Sequence, residues 1–303
     1  MALAESEVER VEIPAGEFVF DALASGPPGG SLVLLLHGFP QSSYQWRHQL
    51  PALARAGYRA VAPDQRGYSS RARPEAVDAY HVDRLVADVL AMADGLGGHQ
   101  VHLVGHDWGA MVAWAVAGRC PQRLRSLTAV STPHPLALAQ ALAAPSGDQA
   151  SRSRYVRFFQ QARLPEWVLL AAGGAGLRML FAKTGYTDET GIREYGAVLG
   201  EPGALTAALN WYRALDLASL GGVGPVNVPT LYVWSSDDPA LGREAADGTA
   251  SYVDGPYRFE VLDGVSHWIP EEAPELLGRL LIDHFKDAEA GPASASALPP
   301  ADQ

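Results

Sequence analysis

An aspartate stands at the centre of Gly105-His106-Asp107-Trp108-Gly109, after an apolar, β-branched run at 101–104 and before a helical pattern at 110–117. Glycines two residues to either side of the central position, at a strand-to-helix turn, mark a nucleophile elbow, whose tight backbone lifts one reactive side chain into the open. The commoner central residue is serine. A serine attacking a saturated carbon forms an ether that no ordinary hydrolytic step reverses. A carboxylate forms an ester instead, and water can attack that ester at the enzyme's own carbonyl carbon. With an ordinary pKa of about 3.9, an aspartate is already ionised at neutral pH and needs no base to become a nucleophile. Asp107 therefore points to substitution at an sp³ carbon, that of an epoxide or an alkyl halide. If Asp107 only capped the helix starting at Trp108, the flanking glycines and the partners below would be coincidence.

A second step needs a base to activate water, and the chain has nine histidines. In enzymes built on this elbow the base comes last in chain order, after nucleophile and acid. His267 fits, in Gly264-Val265-Ser266-His267-Trp268 ahead of Pro270-Glu271-Glu272; His99, His102 and His284 have no chemical partner nearby in sequence and read as packing or surface residues. The acid belongs at the end of the preceding apolar run, 231–234, where Asp237 and Asp238 both stand before Pro239. Asp238 is preferred, because the residue before a proline is held extended and its side chain is fixed in direction. It would orient and stabilise the imidazolium. His37-Gly38-Phe39-Pro40 lies where such folds place the loop that donates one oxyanion-hole N–H, here from Phe39, with the second from Trp108.

These residues need a scaffold. Short apolar segments at 18–20, 32–36, 58–62, 101–104, 127–130, 231–234 and 259–262 alternate with helical patterns such as 81–96. That alternation predicts an α/β protein with a mostly parallel sheet wrapped by helices. It fails between 135 and 225, where helices and loops are expected to form a cap over one edge of the core. Residues 1–134 and 226–289 would form the core, with Gly221-Gly222-Val223-Gly224-Pro225 as the returning linker. The Ala/Pro/Ser-rich end, 290–303, reads as a disordered tail.

Composition excludes other classes. A formal charge of −11 and no long Lys/Arg run argue against nucleic acid and an anionic membrane surface as partners. The runs of unbroken apolar residues are too short for a membrane span. One cysteine, Cys120, permits no internal disulfide, and residues 1–11 lack the basic start and apolar centre of a signal peptide. A cytoplasmic location is the expectation. No clustered His/Cys spacing suggests a metal, and the proposed chemistry needs no cofactor.

Assembled, these pieces resemble the epoxide hydrolase branch of the α/β-hydrolase superfamily over residues 10–288. The resemblance is carried by His37-Gly38-Phe39-Pro40, Asp64-Gln65-Arg66-Gly67-Tyr68-Ser69, Gly105-His106-Asp107-Trp108-Gly109, Ser131-Thr132-Pro133-His134-Pro135 and Ser266-His267-Trp268-Ile269-Pro270-Glu271-Glu272. It implies an eight-stranded α/β-hydrolase core interrupted by a helical cap, with the site between them. It also implies two cap tyrosines that hold the epoxide oxygen. Asn210-Trp211-Tyr212-Arg213 resembles the segment carrying one, and Tyr155-Val156-Arg157-Phe158-Phe159-Gln160 the other, which places those roles on Tyr212 and Tyr155. His37, Phe39, Trp108, His134 and Trp211 are then the expected contacts of a small apolar epoxide. A phenol suits the chemistry, because an opening epoxide leaves an alkoxide that needs a proton. Dehalogenases of this fold are the alternative. They often carry an asparagine where this chain has Phe39, or arginines where it has Trp108 and Met111. A non-catalytic receptor on the same fold would have no reason to keep nucleophile, acid, base and oxyanion loop together.

Overall fold

A computed structural model describes residues 8–215 and 222–291. Gly221 of the expected linker and residues 292–303 of the expected tail lie outside the described residues. Eight strands form one sheet: β1 (Glu9–Ala15), β2 (Phe18–Ser25), β3 (Leu32–Leu36), β4 (Arg59–Pro63), β5 (Val101–His106), β6 (Leu124–Val130), β7 (Thr230–Ser235) and β8 (Tyr257–Leu262). Their spatial order is β1-β2-β4-β3-β5-β6-β7-β8. The β1–β2 and β2–β4 pairs are antiparallel and every later pair is parallel.

Strands β3 and β5 are buried along their whole length, as a parallel strand covered on both faces must be. Their side chains divide by the two-residue period of a strand. Leu32, Leu34 and Leu36 face one apolar layer, while Val33 and Leu35 face the other. The first layer holds α2 (Val82–Gly95) and α3 (Trp108–Arg119); the second holds α1 (Gln49–Arg55) and α12 (Pro274–Ala290). Helix α3 packs alanines at 110, 113, 115 and 117 inward, so its backbone lies close to the sheet behind the elbow. Strand β1 lies at the sheet edge; Arg10, Glu12 and Pro14 form its exposed face, Ile13 and Ala15 are buried on the other, and no apolar run results. Helix α12 runs to Ala290, just past the start assigned to the tail.

Between β6 and β7 the described residues form only helices: α4 (Pro135–Ala143), α5 (Gln149–Arg152), α6 (Arg154–Phe159), α7 (Leu164–Lys183), α8 (Glu189–Leu199) and α9 (Ala204–Arg213). After β7 come α10 (Arg243–Gly248) and α11 (Ile269–Glu272). By length and composition α7 is long and apolar enough to cross a membrane, but non-helical angles at Ala171, Ala172, Gly173 and Gly174 break it into two pieces.

The inserted helices are tied to the core by more than apolar contact. The carboxylate of Glu271, on α11, is nearly inaccessible to solvent. It accepts bonds from Tyr186 at 2.5 Å and Tyr195 at 2.7 Å of the insertion, and from Gln41 and Arg47 of the core. Arg47 also reaches Asp188 at 2.9 Å. Removing one member of such a pair strands a buried charge. Arg47→Met is therefore expected to cost about 3–5 kcal/mol, with part recovered in the Arg47→Met/Glu271→Gln double variant. Urea unfolding measures both; a loss below about 1 kcal/mol in the single variant would show that the latch carries little stability.

Candidate active site

The elbow is built as its glycines imply. Asp107 has φ 53° and ψ −120°, a left-handed conformation that a side chain adopts only under constraint. A Cβ on Gly105 would stand 2.3 Å from the Gly109 carbonyl oxygen, and one on Gly109 would stand 2.2 Å from that of Leu36. Both positions must stay glycine for β3, β5 and α3 to meet this closely. Gly38 faces the same constraint from the opposite side, because a Cβ there would strike Asp107 Oδ1 at 2.3 Å.

The Asp107 side chain makes no capping bond within α3. One oxygen, Oδ1, accepts the Phe39 amide at 2.8 Å, and the nearby Trp108 amide also favours the charged carboxylate. The other, Oδ2, lies 3.5 Å from His267 Nε2. Behind it, His267 Nδ1 donates to Asp238 Oδ2 at 2.7 Å. Asp238 is fixed by the Ala240 and Leu241 amides, which reach its Oδ1 at 2.8 and 2.9 Å. Asp237 is exposed and bonded to Ser236 Oγ, so the tie to His267 falls on Asp238. Asp107, His267 and Asp238 thus converge from the ends of β5, β8 and β7.

Charge in this cluster is set by competition between burial and partners. Burial favours the neutral form of Asp107, but the His267 imidazolium outweighs it and holds the carboxyl below its ordinary range. Burial likewise favours neutral His267, and the Asp238 and Asp107 carboxylates reverse that, pushing it up to about 10. His267 is therefore an imidazolium in the resting state. His106, next to the nucleophile, is driven the other way to about 3 by burial and then by the His267 charge. Being neutral, it can donate from Nε2 to the His267 carbonyl at 2.9 Å, which Ser131 Oγ also reaches at 3.0 Å.

A cavity of about 640 Å³ lies over Asp107, with Trp108, Tyr155 and Tyr212 in its wall. Tyr155 comes from α6 and Tyr212 from α9, with ring centroids 6.3 Å apart. The Trp108 and Tyr212 rings meet edge to face, with centroids 5.0 Å apart. Burial, then the negative charge of Asp107, raises both phenols well above their ordinary value and keeps them protonated. Leu138, Leu142, Val156 and Leu241 make much of the remaining wall apolar.

Four expected substrate contacts stand elsewhere. His37 is fully buried, with Nδ1 donating to the Gly38 carbonyl at 3.0 Å and Nε2 accepting the Gln65 amide at 3.1 Å. Burial holds it neutral, so it braces the oxyanion loop rather than touching a ligand. His134 is also buried; its ring accepts the Leu136 amide at 3.2 Å to cap α4 and stacks on Tyr252. Trp211 donates to the Arg66 carbonyl at 2.9 Å and backs the Trp108 ring instead of lining the cavity. The Phe39 ring packs behind Tyr212 and Phe159, leaving only its amide at the site. His102 and His284 bond Ser126 and the Leu127 carbonyl inside the core.

Several supporting residues carry no motif. Gln149, buried on α5, donates to the Ala240 carbonyl and accepts the Gly242 amide, both at 2.8 Å; Arg152 donates to the Asp238 carbonyl at 2.7 Å. The inserted helices thereby clamp the acid loop. Gln65 is signalled in sequence only by lying within a family motif, and Gln149 by nothing local.

The family model for the alpha/beta hydrolase fold matches residues 31–274. Epoxide hydrolase A of Mycobacterium tuberculosis is 35% identical, the match covering 88% of this chain and 93% of that protein. Epoxide hydrolase 4 of Mus musculus is 33% identical, over 88% of this chain and 76% of that protein. Among solved structures, a Bacillus megaterium epoxide hydrolase in complex with an inhibitor superposes with a TM-score of 0.82 at 27% identity, covering 91% of this chain and 100% of that one.

The charge balance at His267 is directly measurable. A histidine whose pKa rises on folding stabilises the fold below its unfolded value of about 6.5 and loses that contribution as pH climbs through the folded value. His267 is thus expected to titrate near 10, and distinctly lower in Asp107→Ala. NMR of the imidazole nitrogens reads both, and a wild-type midpoint near 6.5 would contradict the assignment.

Proposed function

The chain belongs to the α/β-hydrolase family, and from that premise we propose that it is an epoxide hydrolase, converting epoxides to vicinal diols through an ester on Asp107. The observation that carries this reading is the pairing of a carboxylate nucleophile with two protonated tyrosines facing it across one cavity. A nucleophile alone would serve halide displacement equally well. A phenol is needed only where the leaving oxygen stays on the substrate and must be protonated.

In the first step Asp107 Oδ2 attacks an epoxide carbon, the carbon–oxygen bond breaks, and Tyr212 with Tyr155 hydrogen-bonds and protonates the leaving oxygen. The Phe39 amide holds Oδ1 meanwhile and leaves Oδ2 free to attack. Ester formation cancels the Asp107 charge, which removes one of the two carboxylates that kept His267 protonated. His267 then gives up its proton, which restores the phenol through solvent in the cavity. Neutral His267, oriented by Asp238, next deprotonates a water that attacks the Asp107 carbonyl carbon. The oxyanion forms on Oδ1, already bonded by the Phe39 amide, with the Trp108 amide as the second expected donor. Collapse breaks the ester bond, and the diol oxygen takes the proton from His267. The regenerated acid of Asp107 returns a proton to His267, closing the cycle.

Asp107→Ala is expected to abolish turnover. His267→Gln should trap the ester, seen as an Asp107 peptide heavier by the mass of the epoxide; finding no adduct after incubation with a turned-over substrate would defeat the covalent route. The Tyr155→Phe/Tyr212→Phe double variant should slow ester formation by roughly 100-fold or more in stopped-flow measurements. Purified enzyme given aryl and alkyl epoxides beside haloalkanes should yield diol and no halide; halide without diol would transfer the same nucleophile to dehalogenation.

A further inference from the structure

Among the described residues, three charged side chains line the cavity: Asp107, Arg154 and Arg157. Arg154 and Arg157 lie one turn apart on α6, flanking Tyr155, and both are exposed to solvent. They therefore stand where the cavity opens, while Asp107 lies at its floor. Neighbouring arginines are engaged: Arg152 pairs with Asp148, and Arg213 pairs with Glu166. Among the described residues, no ion pair or hydrogen bond holds either Arg154 or Arg157. Among the described residues, no acid shares the opening with them, although the chain carries 34 acidic residues against 23 basic ones.

Two guanidiniums with no partner among the described residues, at the rim of an apolar cavity, offer planar N–H donors to an anion whose remaining body is apolar. Resting on the epoxide hydrolase reading above, we propose that Arg154 and Arg157 form a carboxylate-binding subsite, and that the preferred substrates are epoxides bearing a carboxylate at the end remote from the ring. The arrangement orients as well as binds. The Asp107 charge repels an anionic group from the floor, and the arginines hold it at the mouth, so the neutral epoxide end is the one delivered beneath Tyr155 and Tyr212. The apolar wall between them takes the connecting chain. A cavity of about 640 Å³ has room for such a molecule.

The test compares kcat/KM for terminal epoxides of one chain length that end in a carboxylate, its methyl ester or a phosphate monoester. Wild-type enzyme is expected to prefer the carboxylate over the ester about tenfold, mainly through KM. That ratio should fall toward one in 1 M salt, where screening shortens to about 3 Å. It should likewise approach one in the Arg154→Gln/Arg157→Gln double variant and persist in Arg193→Gln, an exposed arginine of α8 outside the cavity wall. Because the ratio is internal to each variant, partial misfolding does not imitate the effect. Equal efficiency on carboxylate and ester in the wild type would overturn the subsite while leaving the epoxide hydrolase reading intact. A stronger preference for the phosphate would overturn the carboxylate assignment. Failure on all three substrates and on neutral aryl epoxides would defeat both readings together.

Discussion

A carboxylate that must attack carbon from beneath a cap has to stay ionised where little water can solvate it. Much of the architecture around Asp107 answers that requirement. Burial works against the charge, and the compensation comes from the Phe39 and Trp108 backbone amides and from an imidazolium facing Oδ2. To place a side chain at that junction the backbone accepts a left-handed turn. To bring the Phe39 amide within 2.8 Å, the neighbouring loop must carry glycine at position 38. The close approach of β3, β5 and α3 follows from the same demand, since Gly105 and Gly109 admit no side chain.

The same charge governs the other titrating groups. His267 is an imidazolium because it sits between two carboxylates, and the phenols of Tyr155 and Tyr212 are held protonated partly by the Asp107 charge. In the proposed cycle, alkylation of one atom would therefore relax all three at once. His267 would then become the better base at the moment the proposed cycle needs one, while its own carbonyl stays held by His106 and Ser131.

The inserted helices are part of this machinery. They contribute the two phenols, and through Gln149 and Arg152 they grip the loop that presents Asp238. The Glu271 cluster ties them to the core on the far side of His267. Asp238, His267 and the two phenols are thus positioned jointly by both regions, while most of the cavity wall comes from the insertion.

How much of this was legible in the sequence depends on whether a constraint is local. The elbow and oxyanion loop are written in glycine spacing, because a left-handed turn or a carbonyl two ångströms from a missing Cβ restricts residues close together in the chain. Buried parallel strands show as apolar runs, whereas β1, at the edge with one charged face, had no such run to reveal it. Chain order pointed to His267. Between Asp237 and Asp238, however, only the folded loop decides, through amides of Ala240 and Leu241 and an imidazole brought from another strand end. Motif membership likewise did not say which way a side chain faces. His37, His134 and Trp211 lie in motifs yet serve as braces, and Gln149 lies in none yet clamps the acid loop. By itself the sequence determined the fold class and the reacting residue types, since backbone strain and apolar periodicity act over a few residues. Tertiary structure alone decided the partners, protonation states and cavity walls, because desolvation and hydrogen bonding depend on groups that only folding brings within a few ångströms.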